Sequence, residues 1–416
     1  MRRHLWRQGS EVARLAAAGG SEVEAGAPYA ELWMGTHPSG PSQVRASGEL
    51  LREYVRRRPG ALGARVFERF GEDLPFLFKV LSVRTALSIQ AHPDKARAER
   101  LHAERPHVYK DANHKPEMAL ALTDFEALSG FVESGALAQA FEDTPELKAC
   151  VGDGAEGIVA QLRGGGGGAA EALREAFGKV MRAEKGLVER LTGELVARLG
   201  SQQAPGSPLD AKDALVLRLY EQYPGDVGVF AAFFLNYIQL KPGEAIYLDA
   251  NEPHAYVAGD IIEAMATSDN VVRAGLTPKL RDTDVLCEML TYNTLKPEIL
   301  RGEEGERPEI KRYLPPFAEF QVEAIEVDPG RSLEIPECPG ASILLVQRGG
   351  DSTAHSRLRS SGNVTGDESD SEPSATPLSE GSVFFAAANA EIRVRNDGGG
   401  PLKIFRCCPN DSVFRH

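Results

Sequence analysis

The chain has little sulfur chemistry to offer. Its 416 residues include five cysteines, at positions 150, 287, 338, 407 and 408, an odd count without Cys-x-x-Cys spacing. That pattern excludes a disulfide framework and a thiolate zinc ribbon, and it fits reduced thiols in a cytoplasmic protein. The adjacent pair Cys407-Cys408 is no metal motif by itself. Long hydrophobic runs are missing as well. The most apolar stretch, Val227 to Leu240, contains Asn236 and Gln239 and is too short and too polar for a bilayer span, so it reads as core and no membrane partner is expected. The opening MRRHLWRQGSEVARL is broken by charge and lacks the apolar centre of an export signal. Positive charge does not dominate either. With 47 Lys and Arg against 60 Asp and Glu, the formal charge is -13, which argues against nucleic-acid binding and requires any anion site to be built locally. The glycine run Gly164 to Gly168 lacks the Gly-Lys-Ser/Thr continuation of a phosphate loop and the strand context of a dinucleotide fold. It reads as a linker, and no nucleotide cofactor is expected.

What the chain does have is a split set of metal-ligand residues: Gln90 and His92 in SIQAHPDK, Glu117 in NHKPEMAL, and His254 in YLDANEPHAY. Alternate side chains of a strand share a face, so Gln90 and His92 point one way while Leu87, Ile89 and Ala91 point the other. Pro116 before Glu117 and Pro253 before His254 mark places where a turn delivers the chain into a strand. Two imidazoles, a carboxylate and an amide oxygen around an open position suit Zn²⁺ acting catalytically. His114 is a rival ligand to Glu117.

At this length more than one domain is expected. From Pro75 to Val132, short apolar alternations broken by Pro, Asn, Asp and Gly suit a β-rich domain. Beyond Gly164–Gly168, the residues Leu173, Phe177, Val180, Met181, Leu187, Leu191, Leu195 and Leu199 recur at helical spacing. Gly200 to Pro208 breaks that pattern and Asp210 to Tyr220 starts another helix. Strand-like segments resume near Val229 and carry His254. Because His254 must meet residues 90 to 117, the first β domain is expected to be discontinuous, over 1–135 and 223–300, with a helical insertion at 136–222. Residues 301–416 form a second β domain, with strands at Phe320–Val327, Ala341–Gln347, Ser382–Ala388 and Glu391–Arg395. Within it, the Ser-, Gly- and acid-rich stretch Gly349 to Pro377, which holds His355, is expected to be a flexible loop. The fold class is mainly β with a helical insertion.

The same segments carry a family resemblance. Pro28 to Pro38 (PYAELWMGTHP), Gln90 to Lys95 (QAHPDK), Asn113 to Phe131 (NHKPEMALALTDFEALSGF) and His254 to Lys279 (HAYVAGDIIEAMATSDNVVRAGLTPK) resemble the type I mannose-6-phosphate isomerases, zinc-dependent cupin enzymes. The resemblance implies two cupin or jelly-roll-like β-barrels plus an α-helical domain, and one Zn²⁺ per chain on Gln90, His92, Glu117 and His254. The implied reaction interconverts D-mannose 6-phosphate and D-fructose 6-phosphate through an enediol, which links hexose metabolism to mannose activation and GDP-mannose; the hexose 6-phosphate is the partner, and the chain is expected to act as a monomer. The family begins with an additional strand carrying an aromatic-Trp-Gly motif, of which only Leu5 to Gly9 remains here. An abbreviated first strand and an exposed sheet edge are therefore expected.

The isomerisation needs an electrophile, a base and a phosphate anchor. Arg273, permanently cationic and forked, suits enediolate stabilisation, and the resemblance places an active-site arginine there; its alternative is a structural salt bridge to Asp269 or Glu263. Asp269 and Glu263 are the carboxylate candidates for the base. Lys115 is a candidate for proton transfer or phosphate binding, and Ser88, Lys95 and Lys279 for phosphate binding. Trp33 and His37 read as packing or positioning residues. Two other classes stay open: a cupin oxygenase using Fe²⁺, and a sugar-binding cupin without activity.

Overall fold

The computed structural model describes residues 10–24, 27–202, 209–358 and 375–415. The abbreviated strand expected around Leu5 to Gly9 lies outside them. Nine strands build the first sheet: β1 (Glu31–Met34), β2 (Phe76–Val83), β3 (Ile89–Ala91), β4 (Glu117–Ala121), β5 (Phe125–Phe131), β6 (Leu235–Leu240), β7 (Ala245–Leu248), β8 (His254–Ala266) and β9 (Val272–Gly275). β8 is the spine. Its second half pairs antiparallel with β2 and β4, and its first half with β5 and β3. The hand-over between partners falls at Gly259, with φ 110°, where a Cβ would stand 2.5 Å from the Asp124 carbonyl oxygen; only glycine fits that conformation and that space.

Pro116 and Pro253 do sit immediately before β4 and β8. Ile89 and Ala91 are fully buried while Gln90 is half-buried, as alternation on β3 requires, but Leu87 is exposed: it precedes the strand and does not share its apolar face.

Between β5 and β6 the chain is helical, from Ser134–Asp143 through Gly166–Met181, Lys185–Gln202 and Ala211–Gln222 to Gly228–Phe234. The apolar residues picked out by spacing line one continuous core that includes Phe141, Phe177, Leu195 and Phe234. Two expectations fail here. Gly166 to Gly168 form the first turn of a helix rather than a linker, because Gly165 at φ 69° already makes the break. Strand does not resume at Val229: Gly228–Phe234 is helix, buried at every residue, and an all-apolar run carries no periodicity to distinguish the two.

The C-terminal region builds two further sheets. One has the order Glu303–Glu304, Ile310–Tyr313, Gln321–Val327, Leu402–Cys408, Ser342–Arg348, Val383–Ala386, and the other Ser332–Ile335, Ala390–Asn396, Ser352–Leu358, Thr376–Leu378. The four strands read from sequence are present. The loop expected from Gly349 is shorter than its composition suggests, because Ser352–Leu358 pairs with Ala390–Asn396 and with Thr376–Leu378; His355 therefore lies on a strand. The rest of that stretch, 359–374, lies outside the described residues. The nine-stranded sheet branches at β8, the other two are open paths of strands among the described residues, and helix is as prominent as strand, so the chain is mixed rather than mainly β. Among the described residues no helix is long and apolar enough to cross a membrane.

Candidate metal centre

Strand pairing assembles the site. Gln90 on β3 stands opposite His254 on β8 and Arg273 on β9, and β4 delivers Glu117 along the same β8. His92, Glu117 and His254 are 0, 2 and 1% exposed. Their ligand atoms all lie within 4.8 Å of one another. His92 Nε2 is 3.3 Å from Glu117 Oε1, and His254 Nε2 is 3.4 Å from Glu117 Oε2.

The tautomers follow from the outer contacts. His92 Nδ1 lies 2.7 Å from the Asn270 carbonyl oxygen and His254 Nδ1 lies 3.1 Å from the Glu252 carbonyl oxygen. A carbonyl only accepts, so both Nδ1 atoms carry a proton, and in the neutral imidazole each Nε2 presents its lone pair to the carboxylate. Burial, partly offset by Glu117, pushes the His92 pKa down to about 4, so this imidazole is neutral. Burial opposes ionisation of Glu117, yet Lys115, with Nζ 3.2 Å from Oε1, and the imidazoles outweigh it and hold the carboxyl well below its usual range. His92 Nε2, Glu117 Oε2 and His254 Nε2 have no hydrogen-bond partner. Three buried acceptors facing one another without a proton between them repel, and a divalent cation removes that cost. The residues fit a metal ion.

The His92 contact is backed by a network. Asp111 accepts from Ser268 Oγ (2.8 Å), the Asp269 N–H (2.8 Å), the Asn113 N–H (2.9 Å) and Asn270 Nδ2 (3.2 Å). Asn270 Nδ2 also donates to the Asp111 and Asn113 carbonyls. This fixes the 268–270 turn whose carbonyl holds His92.

The other sequence candidates divide. Ser88 Oγ donates to Gln90 Oε1 (3.3 Å) and Lys115 touches Glu117. Arg273 has no ion-pair partner among the described residues, so the salt bridge to Asp269 or Glu263 is not formed. Asp269 is more exposed, with Oδ1 3.5 Å from His37 Nε2 and Oδ2 accepting from Ser39 Oγ (3.4 Å). Glu263 is buried and paired with Lys79 Nζ (2.9 Å). Lys95 donates to the Ala112 carbonyl and to Asn113 Oδ1. Lys279 is exposed, and its backbone N–H is held by Thr277 Oγ1. His114 turns away to Glu319 Oε1 (2.6 Å).

Two residues escaped the sequence reading. Lys79 is buried on β2, between Glu263 and Glu31 and 4.7 Å from the Trp33 ring centroid. Burial works against its ammonium, but Glu263 and Glu31 outweigh it and hold its pKa up. A lone lysine in the apolar run FLFKVLSV was the available signal, since a buried cation demands a partner. Tyr256 sits two residues after His254 on β8, its hydroxyl buried without a partner beside Glu263 and Glu117.

Helix packing supports Arg273. Gly228 opens the helix Gly228–Phe234 against β9, where a Cβ on Gly275 would stand 2.6 Å from the Gly228 Cα. Paired glycines let helix and strand touch backbone to backbone.

An antiparallel sheet with an insertion of helices, holding a sequestered imidazole–carboxylate cluster, defines a mixed helix-and-sheet protein with a candidate metal site. Models of the type I phosphomannose isomerase family match residues 1–134 (catalytic domain) and 158–235 (helical insertion domain). Mannose-6-phosphate isomerase 1 of Arabidopsis thaliana is 45% identical, over 92% of this chain and 86% of the relative. The Homo sapiens mannose-6-phosphate isomerase is 41% identical over 96% of this chain and 94% of its own length. Among solved structures, a mutant phosphomannose isomerase from Salmonella typhimurium superposes with TM-score 0.76 at 28% identity, and a mannose 6-phosphate isomerase bound with zinc and yttrium with TM-score 0.71 at 27% identity; each comparison covers 98% of both chains. The chain therefore belongs to the type I phosphomannose isomerase family, and is an enzyme of the mannose-6-phosphate isomerase class, an aldose–ketose isomerase acting on a phosphosugar.

Proposed function

We propose that the chain interconverts D-mannose 6-phosphate and D-fructose 6-phosphate through an enediol, with one Zn²⁺ per chain held by Gln90, His92, Glu117 and His254. The observation that carries this reading is the set of three buried, unpartnered acceptors on His92, Glu117 and His254. When bound, the ion would supply Lewis acidity toward the sugar's carbonyl or neighbouring hydroxyl and fix the pocket geometry.

The protein's own groups do the rest. Arg273, opposite Gln90 and free of carboxylate partners among the described residues, stabilises the oxygen that gains negative charge as the proton leaves carbon. Asp269 is the proposed base, because it is the more exposed carboxylate and His37 and Ser39 orient it. Glu263 and Lys115 are committed to Lys79 and Glu117 and act as positioning residues. Ser88, Lys95 and Lys279 are the proposed phosphate contacts, with Ser88 best supported by its place beside Gln90. The chain is proposed to act as a monomer, and the free cysteines suit the cytoplasm. The product would feed GDP-mannose formation.

The same reading divides the chain into a discontinuous catalytic cupin domain (1–135 and 223–300), a helical domain (136–222) and a C-terminal cupin-like domain (301–416), each β unit a jelly-roll barrel. The pairing of β5 with β6 across the helical segment supports the discontinuity. A coupled assay tests the function. The zinc-loaded chain should form fructose 6-phosphate from mannose 6-phosphate, whereas folded, zinc-loaded protein without turnover would overturn the reading in favour of a sugar-binding cupin.

A further inference from the structure

A second cluster of reactive groups, sharing no residue with the metal cluster, lies in the C-terminal β unit. A cavity of about 300 Å³ is lined there by Glu323, Cys338, Arg406 and Cys408, among others. Strand alternation selects its members. On Leu402–Cys408, Arg406 and Cys408 share the face toward this cavity, while Cys407 packs with Phe405 and Ile343 in the apolar core. The chain thus places one of two adjacent cysteines in the cavity and buries the other in hydrocarbon.

Arg406, 3% exposed, is the organising group. Its guanidinium pairs with Glu323 Oε2 through Nε (2.8 Å) and Nη2 (2.6 Å), and Nη1 donates to the Pro336 carbonyl (2.7 Å). That last bond pins the segment Pro336-Glu337-Cys338-Pro339. The Asn389 N–H, donating to the Cys338 carbonyl at 2.7 Å, pins it from the other side. Cys338 thereby lines the same cavity as Arg406 and Cys408, and it is partly open to solvent whereas Cys408 is buried.

We propose that Cys338 and Cys408 form a peroxide-sensitive dithiol site, in which Cys338 is the attacking thiolate and Cys408 the resolving thiol. Donation from the Cys408 thiol, together with the Arg406 charge, holds the Cys338 thiol below its ordinary value even though burial opposes this. Cys408 is raised well above its own, as a donor to a thiolate must be. A partly exposed, low-pKa thiol with a resolving partner is the chemistry that peroxide finds first. Cys338 sulfur attacks one peroxide oxygen, the O–O bond breaks, hydroxide leaves and Cys338 becomes a sulfenic acid. Cys408 sulfur then displaces that oxygen as water, losing its proton, and the S–S bond forms. Two thiols give up two electrons and one hydrogen peroxide becomes two water molecules. The product ties the 336–339 segment to the Leu402–Cys408 strand. A thiol reductant reverses it.

The test uses the whole chain. After brief exposure to hydrogen peroxide, thiols titrated in denaturant should fall by two from the five of the reduced chain, and unreduced peptide mapping should show Cys338 joined to Cys408. Dithiothreitol should restore all of them. C338S, at a partly exposed position, should keep its remaining thiols under the same exposure. C408S should leave Cys338 as a sulfenic acid that dimedone labels. Five thiols surviving in the wild-type chain, a linkage between other cysteines, or direct passage of Cys338 to sulfinic acid would each overturn the proposal. Mapping of the wild-type chain decides the matter even where C408S does not fold.

Discussion

Asp111→Ala removes no group from the metal cluster, yet it should weaken metal binding. The Asp111 carboxylate accepts four hydrogen bonds, from Ser268 Oγ, the Asp269 and Asn113 N–H groups, and Asn270 Nδ2. Hydrogen bonds to a charged acceptor each contribute about 1.5–3 kcal/mol, but the position is half-exposed and water replaces part of them. The loss of folding stability should therefore be about 2 kcal/mol rather than the sum of four bonds. The larger consequence falls on His92. Its Nδ1–H is held by the Asn270 carbonyl, and a loosened 268–270 turn no longer fixes the tautomer or the ring. Loss of such outer contacts lowers metal affinity by about 10–100-fold, equivalent to about 1.4–2.8 kcal/mol. Zinc affinity is read by competition with a chromophoric chelator, and stability by urea unfolding of the metal-free chain. Ser268→Ala, which removes one of the four donors, should give a smaller shift in the same direction. If D111A binds zinc as tightly as the parent chain while unfolding more easily, the turn is structural scaffolding and does not orient His92.

Arg273→Ala should lower kcat/KM by about 10²–10³-fold, the usual cost of deleting a charge-stabilising donor; Lys at 273 should recover little, since it lacks the planar fork, and activity within a few-fold of the parent would remove Arg273 from the mechanism. Lys79→Met strands Glu263 in the sheet interior and should cost about 3–5 kcal/mol in urea unfolding. The double variant K79M/E263Q should recover a good part of that loss, whereas equal losses in both would show that Glu263 does not need its cation. In the metal-free chain His92 is depressed to about 4 in the fold against an ordinary 6.5 when unfolded. The unfolded chain then binds the extra proton between those values, so stability should fall as pH drops from 6.5 to 4, and His92→Gln should flatten that slope in a pH series of unfolding midpoints.

The strands that build the metal cluster were legible because alternation and proline mark them. Gln90 half-buried between buried Ile89 and Ala91, and prolines opening β4 and β8, are local signals that tertiary contacts left intact. Helix in the insertion was equally legible where apolar residues recur at 3.6 spacing, as at Leu173, Phe177 and Val180. Uniform runs defeated the reading. Gly228–Phe234 is apolar throughout, and nothing in its pattern separates a buried helix from a strand. Composition misled at Ser352–Leu358, whose polar residues form a strand because partners on both sides satisfy its backbone. Lys79 and Tyr256 were missed for a different reason: Lys79 matters through its register opposite Glu263, and Tyr256 through the fold that brings its hydroxyl beside Glu263 and Glu117, and neither is visible in one strand alone.

The proposed metal ion at His92, Glu117 and His254, with Gln90, is what would make the chain an isomerase. Zinc should be titrated into chelator-stripped protein while fructose 6-phosphate formation from mannose 6-phosphate is followed, with Glu117→Gln run in parallel. No turnover is expected without metal, followed by a linear rise that breaks at about one equivalent of zinc per chain, and no tight equivalent or recovery is expected in E117Q. Full turnover by the stripped chain, or a parental titration curve in E117Q, would contradict that role of the metal.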